Sequence, residues 1–263
     1  MSAITTGNAQ QYADSQKLAA RARLNSEYTI AETPWFPWVV KKLPLAPGQR
    51  VLDIGCGPGW FWAATAKSLP EKLDLTLADQ SAGMVQEALD RCRPLPFGAV
   101  QGQQADATAL PFPDGSFDIV VAMHMLYHLK DQAAGIAEMA RVLKPGGVLA
   151  VTTNGAGNMR NMYALTTLFG SPPQDPAGVA FGYDAAERLM GARFGNVMME
   201  EHPSRMRVTE PEDVFLALTS YPPGDGASES QLAAFRATIA QAFRDGNGVL
   251  EVAKESALFL SRK

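Results

Sequence analysis

An α/β domain built on a mostly parallel sheet is what this 263-residue sequence predicts, on three observations. From residue 50, short apolar runs alternate with helical stretches of about ten residues, the rhythm of βαβ units. A glycine-rich turn, Gly55-Cys-Gly-Pro-Gly59, directly follows the first run and opens a helix. Acidic residues recur where strands end, at Asp53, Asp79 and Asp106.

Residues 9–30, rich in Ala, Leu and Arg at helical spacing, predict an N-terminal helix. Thr33-Pro34 starts a second helix that carries Trp35, Phe36, Trp38 and Val39 and stops before Pro44 and Pro47. Arg50 to Ile54 reads as the first buried strand and Pro58 to Leu69 as its helix. Leu73 to Ala78 is a second strand, followed by a helix from Ser81 to Arg91. Strands near Ala99 to Gln103, Phe117 to Met123 and Val148 to Thr153 follow, the last preceded by a helix from Asp131 to Leu143. Helical crossovers of this length are what parallel strands require. Beyond residue 154 the rhythm breaks. Residues 155–190 and 203–246 read as helical or irregular, Asn196 to Glu201 as one more strand, and Val249 to Ala253 with Ala257 to Ser261 as a hairpin.

Hydrophobic residues make up 46% of the chain and charged residues 19%, an ordinary globular balance. The formal charge is −4 and there is no Lys/Arg run, so the basic stripe that nucleic acid demands is missing. The two cysteines, Cys56 and Cys92, have no metal-ligand or disulfide-framework spacing. The polar N-terminal stretch predicts no signal peptide, and the longest apolar stretch, Phe117 to Leu129, is too short to cross a bilayer. A cytoplasmic protein with no nucleic-acid or membrane partner and no metal is expected.

The three glycines stand at alternate positions between a strand and a helix. Glycine lets the backbone turn tightly and approach a ligand that a Cβ would exclude, and the helix after it presents free N–H groups. The spacing is G-x-G-x-G rather than the dinucleotide fingerprint G-x-G-x-x-G. Asp53 is placed to attract the ammonium of an amino-acid ligand. Asp79, at the end of the second strand, can accept from both hydroxyls of a ribose. Asp106 can accept from an adenine amine and the Ala107 N–H can reach a ring nitrogen, with Gln80 and Met84 flanking the ring. Each aspartate alone also fits a helix cap or solvated loop. Together they sit at the strand ends where open α/β sheets bind ligands.

VLDIGCGPG, Asp79, DATALPFPDGSFDIV, HMLYHL and EMARVLKPGGVLAVTT resemble the successive motifs of the class I S-adenosylmethionine-dependent methyltransferases of type 11. The resemblance covers residues 50–153, and GVLEVAKESALFLSRK resembles the family's terminal strands. It implies a Rossmann-like fold, a seven-stranded, mostly parallel sheet with helices on both faces. Residues 1–48 would form an N-terminal helical lid and 49–154 the cofactor-binding core. Residues 155–246 would be substrate-cap insertions with one core strand near 196–201, and 247–263 the terminal strands completing the sheet. The cofactor implied is S-adenosyl-L-methionine, with Asp53, Gly55, Cys56, Gly57 and Gly59 at its methionine end. The resemblance further implies Asp79 at the ribose, Asp106 and Ala107 at the adenine, and His124 beside the sulfonium. The stretch from Tyr12 to Arg21 resembles the lid helix of one bacterial subgroup, in which Tyr12 would cover the cofactor and Arg21 pair with its carboxylate; a solvated helix face is the alternative for Arg21.

Methyl transfer from a sulfonium is an in-line displacement, so positioning supplies much of the acceleration. An oxygen or nitrogen acceptor also calls for a general base. His128 is the candidate base, with His124 nearby and Tyr127 as acid or hydrogen-bond donor. Loop packing is the alternative for His128. The aromatic groups around Trp35 and Trp60, with Tyr163, Phe169, Phe181 and Tyr183, suit an apolar pocket or the core between cap helices. The expected function is methyl transfer to a hydroxyl, amine or carbon of a small, fairly apolar metabolite by a monomer or homodimer. The alternatives are a non-methylating cyclisation or rearrangement on the same fold and a non-catalytic cofactor-binding protein.

Overall fold

A computed structural model describes residues 16–263. The chain opens with α1 (Gln16–Tyr28), β1 (Thr29–Ile30) and α2 (Trp35–Val40). The alternating core follows: β2 (Arg50–Ile54), α3 (Trp60–Thr65), β3 (Asp74–Asp79), α4 (Ala82–Cys92), β4 (Ala99–Gln104), β5 (Phe117–Met123), α5 (Gln132–Val142) and β6 (Leu143–Asn154). The second half holds α6 (Arg160–Tyr163), α7 (Pro176–Ala180), α8 (Tyr183–Phe194), β7 (Met198–Glu201), β8 (Arg205–Val208), α9 (Pro211–Leu218), α10 (Glu229–Asp245), β9 (Leu250–Ala253) and β10 (Ser256–Arg262).

Seven strands form the main sheet in the order β4-β3-β2-β5-β6-β10-β7. The five core strands are parallel, and β10 runs antiparallel to both β6 and β7. This is the expected seven-stranded, mostly parallel sheet. The alternation of side chains along a strand divides the core in two. Leu52, Ile54, Val120 and Ala122 face Ile136 and Met139 of α5 and Ala186 and Met190 of α8. Val51, Leu75, Leu77, Ile119 and Val121 face α2, α3 and α4 through Val39, Phe61, Trp62 and Ala88. Helices therefore cover both faces.

A separate apolar cluster builds the cap. Leu24 of α1 packs with Met162, Val214, Leu218, Phe235 and Ile239, over a three-stranded antiparallel sheet in the order β1-β8-β9. The Tyr28 hydroxyl donates to Asp213 Oδ2 at 2.5 Å, and Arg23 pairs with the same carboxylate at 3.4 Å, which ties α1 to α9.

Three expectations are corrected. The strands near 249–253 and 257–261 do not pair as a hairpin: β9 belongs to the cap sheet and only β10 of residues 247–263 enters the main sheet. The stretch 203–246 is not all helical or irregular, since β8 lies within it, with outward Arg205 and Arg207 alternating with buried Met206 and Val208. The helix expected from Pro58 starts at Trp60 and gives way to a 3₁₀ turn at Ala66–Ser68. Gly57 and Gly59 both have positive φ, 52° and 75°, so right-handed helix begins only after them. Among the described residues no helix is long and apolar enough to cross a membrane.

Candidate functional site

A cavity of about 1920 Å³ opens above the C-terminal ends of β2, β3, β4 and β5 and runs up to the cap. Its floor is the glycine turn. Gly55 and Cys56 donate their N–H groups to the Ala78 carbonyl at 2.8 and 3.0 Å, tying the turn to β3. Gly55 has φ 73°, and a Cβ there would lie 2.6 Å from Met125 Cβ. At Gly57 a Cβ would meet nothing within 4 Å: it would project into the cavity. Gly59, expected at the methionine end of a cofactor, does not line the cavity. A Cβ there would lie 3.1 Å from Ala88 Cα and 3.2 Å from Cys92 Sγ, so Gly59 serves the close approach of α3 to α4.

The three aspartates differ in environment. Strand alternation puts Asp53 on the face covered by α3, where Trp62 Nε1 donates to Oδ2 at 2.7 Å. Oδ1 is buried without a hydrogen-bond partner. Burial raises the carboxyl to about 7, against the Trp62 hydrogen bond that holds it down, while Asp79 adds to the rise. Asp79 accepts from the Gly57 N–H at 3.0 Å and the Ser81 N–H at 2.9 Å, one on each oxygen, and burial raises it from its ordinary value against the pull of those hydrogen bonds. Asp106 is exposed at the rim, with Oδ1 taken by the N–H and hydroxyl of Thr108 at 2.8 and 2.7 Å. Gln80 is exposed, and Met84 and Ala107 are buried in the wall beside it.

His124 directly follows β5 in a left-handed conformation, φ 50°, with its N–H donating to the Thr152 carbonyl at 3.0 Å. Its ring lies 5.5 Å from that of Trp35, and burial, helped by the Lys254 charge, pushes it down to about 4. Tyr127 and His128 follow in a 3₁₀ turn, edge to face at 4.5 Å, and both line the cavity. Cys56 also lines it, and burial pushes its thiol well up, which disfavours the thiolate. Tyr12 lies outside the described residues. Arg21 lines the cap side, its guanidinium 5.5 Å from the centre of the Tyr221 ring.

Sequence reasoning missed the polar group on the cap side. Asp175 is buried and accepts from Asn158 at 2.7 Å, Asn154 at 2.8 Å and the Ala177 N–H at 2.9 Å. Lys254, in the short link from β9 to β10, lines the same wall. Asp175-Pro176 carries the signature of a helix start, whereas a single lysine between two strands carries no signal. The aromatic groups divide: Trp62 and Phe181 are core, while Trp35, Phe36 and Tyr163 line the cavity.

The floor suits a ligand with an ammonium group. An unpaired buried carboxylate oxygen at Asp53 and the clear space above Gly57 fit the amino-acid end of S-adenosylmethionine, and Asp79 and Ala107 fit its nucleoside. Comparison with known proteins gives the same answer. Residues 52–151 match the family described as a methyltransferase domain. Over 118 residues the chain is 38% identical to the ubiquinone/menaquinone biosynthesis C-methyltransferase UbiE of Shewanella piezotolerans, covering 44% of this chain and 47% of that protein. The chain thus spans about half the length of the curated relatives it matches. Among solved structures, the YcgJ protein of Bacillus subtilis superposes with a TM-score of 0.60 at 20% identity, over 87% of this chain and 97% of that one. The [4+2]-cyclase SpnF superposes with a TM-score of 0.57 at 21% identity, over 100% of this chain and 97% of that one. Strand order, glycine turn and matched segment identify residues 52–151 as a methyltransferase domain of the class I, S-adenosylmethionine-dependent fold.

Proposed function

We propose that the protein is an S-adenosylmethionine-dependent methyltransferase that acts on a hydroxyl, amine or carbon of a small, fairly apolar metabolite. The observation that carries this reading is the unpartnered Asp53 Oδ1 together with the open space at Gly57, in a cavity that Trp35, Phe36 and Tyr163 also line. The bound cofactor supplies a methyl group on a sulfonium. Asp53 holds the ammonium, Asp79 the ribose and Asp106 with Ala107 the adenine. The walls orient the acceptor and exclude water.

His124, held near pKa 4, is neutral at pH 7 and too weakly basic to remove a proton efficiently, so it serves as an apolar-side wall. His128 is the candidate base and Tyr127 a hydrogen-bond donor. The net charge of −4 and the absence of a basic run in the sequence favour a small molecule in the cytoplasm over nucleic acid, with the chain acting as monomer or homodimer.

The test is incubation with methyl-tritiated cofactor and a metabolite extract. Label in a small-molecule fraction, with S-adenosylhomocysteine released, supports the reading; failure of the protein to bind either cofactor form overturns it. The fold shared with SpnF favours a second reading, a cyclisation or rearrangement in which the sulfonium acts only through its charge. That reading predicts cofactor binding and substrate turnover without label transfer.

A further inference from the structure

We propose that the cap side of the cavity recognises a carboxylate on the substrate and that Lys254 is the residue that binds it. This names the substrate class of the site just described and rests on that reading.

Lys254 is half-buried in the cavity wall. Its Nζ donates to the amide oxygen of Asn25, and among the described residues no carboxylate lies within ion-pair distance of it. Its neighbour Glu255 is committed elsewhere, accepting from the Gly157 N–H at 3.0 Å. Asp175 is the anion whose field reaches Lys254, but Asn154, Asn158 and the Ala177 N–H hold its two oxygens. His124 and His202 also feel the Lys254 charge, and burial keeps both imidazoles below their ordinary pKa. An ammonium has three donors, and a partly buried one with a single amide partner gains more than an exposed one from an arriving anion.

Asp53, Asp79 and Asp106 stand at the cofactor end, while Lys254 and Arg21 stand at the cap end beside Asp175, whose two oxygens are already held by Asn154, Asn158 and the Ala177 N–H. A bound sulfonium adds further positive charge between them, and a carboxylate on the substrate balances it. Burial lowers Lys254 only to about 8, so it remains mostly charged at pH 7. Trp35 and Tyr163 give the same space flat apolar walls suited to a ring.

The probes are 4-hydroxybenzoate and its neutral counterpart 4-hydroxybenzamide. Each is titrated calorimetrically into the ligand-free protein and into protein saturated with S-adenosylhomocysteine. The expected result is a preference for the carboxylate of about tenfold or more, ~1.4 kcal/mol. Lys254→Met should abolish that preference while leaving amide affinity, cofactor binding and melting temperature in place, and Lys254→Arg should restore part of it. No carboxylate binding, equal binding of the two probes, or a preference that survives in Lys254→Met overturns the proposal. Loss of S-adenosylhomocysteine binding by the wild type, with the carboxylate preference intact, instead overturns the proposed function.

Discussion

Replacing Asp79 tests the cofactor reading at its best-defined polar contact. The carboxylate already accepts two backbone N–H groups, from Gly57 at 3.0 Å and Ser81 at 2.9 Å. A carboxylate offers about four acceptor sites, so two remain for the hydroxyls of a ribose. Hydrogen bonds to a charged group contribute about 1.5–3 kcal/mol each. Because Asp79 is only half-buried, the lower figure applies. Two bonds then give about 3 kcal/mol, somewhat over a hundredfold in Kd. Asp79→Ala should weaken S-adenosylhomocysteine by that factor in a calorimetric titration. Asp79→Asn is the sharper variant, because its amide oxygen can accept from one of the two N–H groups while its NH2 opposes the other donor. It should also lose most of the affinity. A Kd within roughly threefold of wild type for Asp79→Ala, with an unchanged melting temperature, would refute the assignment of the ribose to this carboxylate.

Other outcomes follow from the same geometry. Gly59→Ala puts a side chain at φ 75°, 3.1 Å from Ala88 Cα, and should cost about 1–2 kcal/mol of stability in a denaturant melt. Gly57→Ala meets open space and should cost less stability but weaken cofactor binding more, as parallel titrations would show. Asp53 is raised to about 7 in the folded chain from an ordinary 3.8, so the native state holds its proton where the unfolded chain has lost it. Ligand-free stability therefore falls as pH rises from about 4 to about 7 and then levels, while affinity for the cofactor ammonium rises over the upper part of that window; Asp53→Asn should flatten both profiles. Tyr28→Phe removes the 2.5 Å bond to Asp213 and should speed hydrogen exchange in α1, with a cost of about 1.5 kcal/mol. Full turnover by His128→Gln would remove that residue from the mechanism.

The sheet was legible because its strands are apolar runs punctuated by the glycine turn and by helices with readable caps, such as Ser81 and Asp131. That Asp53, Asp79 and Asp106 line one cavity was legible for the same reason: strand ends are local features. Gly59 shares the spacing of Gly55 and Gly57, but the packing against α4 that it permits is tertiary and has no signal in the sequence. The cap was less legible. Its sheet joins strands from residues 29–30, 205–208 and 250–253, and no local pattern states which edges meet. The alternation of Arg205, Met206, Arg207 and Val208 was a visible strand signal within a stretch read as helical or irregular. Lys254 reaches the cavity only because β9 and β10 part into different sheets on either side of it, an event of topology rather than of sequence pattern.

The insertion of β10 between β6 and β7 sets a schedule for the growing chain. Asn154 of β6 faces Ser256 of β10, and the two are separated by 102 positions. At synthesis rates of roughly 5–20 residues per second, β6 emerges about 5–20 s before the strand that covers it. During that interval five parallel strands can assemble with the unpaired N–H and C=O groups of β6 exposed, the kind of edge that pairs with another nascent chain. Production of this protein should therefore be sensitive to the crowding of nascent chains.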